Sequence, residues 1–156
     1  MSGVRRGWQA YPGARRPTRL PRVKPGRVVG LGALCDLGPR QPDDARDRSF
    51  SVSEFVTLED GRRVILHEDR GFTLGVRSTV EPGPRDAREH LTLERLTRDV
   101  LTVVLPDDDE SAEEHPWSWL AGLARARGLT VTADDLRGLP YEVVFTDALR
   151  RWLAPA

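Results

Sequence analysis

The chain has one cysteine, Cys35, which excludes an internal disulfide framework. No apolar run approaches the ~20 residues needed to cross a bilayer. Three histidines, His67, His90 and His115, stand too far apart for an H-x-x-x-H or Cys/His metal motif, so no metal ligand, cofactor or catalytic residue is assigned from spacing. Acid is missing from the front of the chain. No Asp or Glu precedes Asp36, whereas the first 35 residues hold seven Arg and one Lys. The whole chain is formally neutral, so this +8 segment leaves −8 on the remainder. Such asymmetry marks a basic arm joined to an acidic folded body.

Pro12, Pro17, Pro21 and Pro25 interrupt the basic stretch, each removing an amide donor and restricting the residue before it. Residues 1–48 therefore read as a largely disordered Pro/Arg-rich arm and linker, and residues 49–156 as a single α+β domain. Arg5, Arg6, Arg15, Arg16, Arg19, Arg22, Lys24 and Arg27, interleaved with Trp8 and Tyr11, have the charge and stacking surface that grip nucleic acid without sequence preference. The apolar stretch 28–34 is at the lower length limit of a secretion signal and places Leu34 where a small residue belongs, so a cytoplasmic location is expected. Its Gly30-Leu31-Gly32 opening fails as a dinucleotide-binding fingerprint, because Cys35 occupies the third glycine position. Cys35 itself reads as a small inert hydrophobe.

From Ser49 onward the pattern becomes strand-like. Phe50, Val52, Val56 and Leu58 fall at even positions, Asp60-Gly61 supplies turn chemistry, and Val64 and Leu66 resume the alternation. A second turn at 68–71 and the alternation of Phe72, Leu74 and Val76 complete a three-stranded antiparallel meander over about 50–58, 63–68 and 72–78. The hairpin register decides one constellation. A two-residue loop sets Glu54 opposite His67, a carboxylate–imidazole pair able to do acid/base work, whereas a three-residue loop separates them.

The second half reads as mixed helix and strand. Thr92 caps a helix over 92–100, continued to 105 either as helix or as a buried strand. Asp107, Asp108, Asp109 and Glu110, followed by Glu113 and Glu114, form an acidic linker that fails as a calcium loop, with Ala112 and Ser118 where Gly and Glu belong. Pro116 opens a helix to about 127 with Trp117, Leu120, Leu123 and Ala124 on one stripe, and Trp119 projects from the other side. A short strand at 129–132, a helical turn begun at Thr132, a strand at 141–145 and a helix capped by Thr146 finish the chain.

No catalytic motif emerges. The favoured function is that of a small interaction or regulatory protein, not an enzyme, which binds a protein partner through Trp117, Trp119, Asp107, Asp108, Asp109 and Glu110. The acidic body suits a basic partner. Nucleic-acid binding through residues 1–27 is the alternative, and an enzyme built around Glu54 and His67 is a more distant one.

Overall fold

A computed structural model describes residues 22, 24–39, 47–75, 88, 91–105 and 115–154. Eight elements follow in chain order: β1 (Val28–Leu37), β2 (Asp47–Leu58), β3 (Arg63–Gly75), α1 (Leu93–Val104), α2 (His115–Ala126), α3 (Ala133–Arg137), β4 (Tyr141–Phe145) and α4 (Asp147–Leu153). The class is α+β. One mixed sheet has the order β3-β2-β1-β4, antiparallel except for the parallel β1–β4 pair.

The three-stranded antiparallel meander is present with a different membership. Its first strand is β1, inside the stretch read as arm and linker, so the sheet begins at Val28. Gly30, Gly32 and Gly38 depress local strand propensity there. Gly32 has a packing reason. A Cβ at this position would lie 2.6 Å from both the Glu142 carbonyl oxygen and Phe55 Cζ. The expected turn at 68–71 does not form; β3 runs through it, paired with β2 back to Asp47. A strand predicted at 129–132 is likewise absent, although Leu129 and Val131 are buried.

Helix boundaries follow the caps. The Thr92 hydroxyl accepts the Arg95 amide at 3.1 Å, and α1 continues to Val104, which resolves the choice at 100–105 in favour of helix. Thr132 and Asp135 form a reciprocal capping box at α3. Thr146 accepts the Leu149 amide at 3.2 Å and donates its hydroxyl to Asp36, tying the start of α4 to β1.

The β2–β3 turn holds three residues, Glu59, Asp60 and Gly61. The Leu58 amide donates to the Arg62 carbonyl and the Gly61 amide to the Leu58 carbonyl, each at 2.8 Å, and Gly61 takes φ 86°. Such a turn was expected to part Glu54 from His67. It does not, because β3 carries an extra residue. Phe55 pairs with Ile65, but Glu54 pairs with His67, so Leu66 is bulged and both Leu66 and His67 are buried. A second slip follows before Val52 pairs with Arg70.

All four helices cover one face of the sheet. The even residues of β2 point to that face, and they divide its core in two. Val56 and Leu58 join Leu120, Ala124 and Leu136 of α2 and α3, whereas Phe50 and Val52 join Leu96, Val100 and Leu149 of α1 and α4. Between the two clusters stands Glu54.

Candidate functional site

Strand alternation forces Glu54 inward, midway along β2, where its side chain is fully buried. An isolated carboxylate there would cost several kcal/mol, so its partners decide whether the fold can hold it. It has three. His67 Nε2 is hydrogen-bonded to Oε2, the Tyr141 hydroxyl donates to Oε1 at 3.3 Å, and Arg70 Nε lies 3.8 Å from Oε2. The partners come from β3 and β4, the two edge strands, so the carboxylate ties together the width of the sheet.

Trp119 of α2 roofs this cluster. Its ring centre lies 4.7 Å from that of His67, at 53° between planes, and the Arg70 guanidinium sits 5.4 Å from the indole centre. Arg70 also donates from Nη1 to the Val103 carbonyl at 2.9 Å, in the last turn of α1, where a cation is favoured by the helix dipole. Arg127, just beyond α2, donates to the Ile65 carbonyl beside the bulge. Elements α1, α2, β2, β3 and β4 thus meet at one polar centre.

Electrostatics keep the centre's hydroxyl neutral. Burial pushes the Tyr141 phenol pKa well up, and the adjacent Glu54 carboxylate adds to the effect, so Tyr141 is a proton donor in hydrogen bonding and not a phenolate. Elsewhere burial, helped by Asp36, pushes Cys35 up to about 12, which leaves the thiol unreactive.

The residues singled out from sequence separate into three groups. Glu54 and His67 come together, as one of the two hairpin registers had them, and Trp119 joins them, which the linear chain did not suggest. Trp117 turns away and packs, half-buried, against the α2–α3 core, while Trp119 is 37% exposed. Arg22, Lys24 and Arg27 are exposed, and residues 24–27 lie beside the β2–β3 turn through bonds from Arg62 Nη2 to the Lys24 carbonyl and from the Glu59 amide to the Arg27 carbonyl. Arg5, Arg6, Arg15, Arg16 and Arg19, and Asp107, Asp108, Asp109 and Glu110, lie outside the described residues. Arg70 and Tyr141 were missed. Arg70 was hidden in a supposed turn, and Tyr141 was one aromatic at a strand start; no local signal connects either to Glu54.

Among the described residues no three His, Cys, Asp or Glu side chains converge as a metal site, and no helix is long and apolar enough to cross a membrane. No protein-family model matches the chain, and no curated protein and no solved structure matches it either.

Proposed function

We propose that the protein acts by binding a protein partner, with Trp119 and Arg70 at the centre of its contact surface. One observation carries this reading: Trp119 is exposed yet held, its ring packed at a tilt against His67 and beneath the Arg70 guanidinium, which are themselves held by Glu54. An aromatic anchor fixed before binding loses little rotamer entropy on association. Trp and Arg are also the side chains that most often dominate interface energetics. On this reading the buried Glu54–His67 pair is a positioning device whose output is the pose of the indole.

Catalysis at Glu54 and His67 has the hydrogen-bonded pair in its favour. It has access against it. Glu54 is 0% and His67 9% exposed, beneath Trp119, so a substrate would have to displace the indole before meeting either group. Nucleic-acid binding rests on the charge of residues 1–27 and not on this centre.

The test is site-specific photo-crosslinking in the native host. A photoreactive residue at exposed Ser118, next to Trp119, should yield a discrete protein adduct that disappears in the Trp119→Ala background, whereas the same group at exposed Asp47 should not. Identical adduct patterns with and without Trp119 would remove the proposal.

A further inference from the structure

The two edges of the sheet are unlike. Edge strand β3 slips register twice against β2. Bulges, prolines and basic side chains are the devices that blunt an exposed edge. Edge strand β4 has none of them: Tyr141–Phe145 pairs with β1 in unbroken register and contains neither proline nor a basic residue. The Leu31 amide donates to the Pro140 carbonyl and the Thr146 amide to the Cys35 carbonyl, both at 3.1 Å. In a parallel ladder these two bonds fix the phase. The backbone groups of Glu142 and Val144 face β1, and those of Tyr141, Val143 and Phe145 face outward. Arg150 Nε donates to the Phe145 carbonyl at 3.3 Å; among the described residues no other hydrogen bond reaches these outward groups. The helix layer also stops short of this edge. Ala33 and Cys35 of β1 are fully buried beneath it, whereas Val143, which pairs with Ala33 and packs against the same core, is only half-buried.

We propose that β4 is an interface between two copies of the chain, in which it pairs antiparallel with its own equivalent about a two-fold axis at Val143. That register sets Val143 against the partner's Val143, and Tyr141 against the partner's Phe145. Every outward N–H then meets an outward C=O, because the groups free for pairing belong to residues 141, 143 and 145 on both strands. A carbonyl oxygen has two lone pairs, so Phe145 can accept this bond beside that from Arg150. On the outer face Glu142 comes opposite the partner's Val144, so no like charges meet. On the helix face Val143 gains the apolar neighbour that its own chain does not supply. An isologous contact of this kind closes at two copies and joins the two sheets into one. Only the Tyr141 backbone takes part, and its hydroxyl stays on Glu54. Neither Trp119 nor Arg70 lies on β4, so this contact does not depend on them.

The experiment is sedimentation velocity of the full chain across a concentration series, joined to disulfide mapping. A reversible dimer is expected. Val143→Pro should weaken it by about tenfold or more, since it deletes the outward N–H from each copy and no bond to β1. Trp119→Ala should dimerise as the wild type does. Single cysteines keep the test valid should Val143→Pro fail to fold. Chains with Glu142→Cys mixed with chains with Val144→Cys should oxidise to a linked dimer faster than either variant alone, with Cys35 buried and silent. A chain that is monomeric at every concentration leaves the edge to a strand of another protein and overturns the proposal. So does a dimer that a folded Val143→Pro variant leaves unchanged, or cross-linking no faster in the mixture than in the single variants.

Discussion

The two faces of β2 obey opposite rules, and each breaks its own rule once, at adjacent residues. The inner face reads Phe50, Val52, Glu54, Val56, Leu58, and the outer face Ser49, Ser51, Ser53, Phe55, Thr57. Glu54 is a carboxylate in the core, and Phe55 is an aromatic on the polar side, yet both are at most 1% exposed. Each is repaired differently. Glu54 is hydrogen-bonded to His67 and Tyr141 and ion-paired with Arg70. Phe55 lies in the notch left by Gly32 on the neighbouring strand, roofed by the Arg63 guanidinium 4.9 Å from its ring and by the Arg63–Glu142 ion pair at 3.1 Å. A departure from binary pattern is tolerated where specific neighbours compensate it, and such places mark strained or functional sites.

The largest effect should come from the inner exception. Glu54→Ala removes the carboxylate shared by the buried His67 imidazole and the partly buried Tyr141 and Arg70 side chains, and should lower unfolding free energy by about 3–5 kcal/mol in denaturant titration. A loss below about 1 kcal/mol would show that the polar centre is not holding the sheet together. On the outer face Gly32→Ala drives a methyl into Phe55 and a backbone carbonyl, with an expected loss of about 1–3 kcal/mol. Should that variant melt like the wild type, the notch is not what seats Phe55.

Removing only the roof is milder. Arg63→Ala breaks an ion pair whose partners are about half exposed, so the expected change is under about 1 kcal/mol and shrinks further in high salt. The smallest effect has the opposite sign and comes from a second carboxylate. Asp99 Oδ2 is buried without a hydrogen bond, and burial raises the Asp99 pKa against the pull of Arg95 and Arg98. A carboxyl whose pKa is higher folded than unfolded is destabilising while ionised; that penalty is absent below the unfolded value, grows between the two and is complete above the folded one. Asp99→Asn should therefore melt slightly higher than wild type at pH 7, with the gap closing as pH falls toward about 4. A gap independent of pH would assign the gain to something other than charge. Glu54, hydrogen-bonded to His67 and Tyr141, and Asp99 Oδ2, without a hydrogen bond, would then no longer contrast as satisfied and unsatisfied carboxylates.

Much of the scaffold was readable. The alternation of Phe50, Val52, Val56 and Leu58, the Asp60-Gly61 turn, and the caps at Thr92, Thr132 and Thr146 are local signals that the fold keeps, whereas the local signals for a turn at 68–71 and a strand at 129–132 are overridden. β1 was not readable, because its glycines argue against a strand until Phe55 and Glu142 are placed beside Gly32. The candidate site was half readable. Glu54 and His67 were paired by arithmetic that assumed an unbulged strand, and the structure reaches the same pair through a longer turn and an extra residue at Leu66.

By itself the amino-acid sequence determined the α+β class, the helix caps at Thr92, Thr132 and Thr146, the alternating direction of the β2 side chains from Phe50 to Leu58, and the separation of a basic front from an acidic body. Periodicity and capping act over a few residues, so one sequence contains them. The tertiary structure alone decided that β1 lies between β2 and β4, that β3 bulges to deliver His67 to Glu54, and that Tyr141, Arg70 and Trp119 close around that pair. Those outcomes depend on side chains from distant parts of the chain competing for the same space and the same hydrogen bonds, and only the folded chain sets that competition.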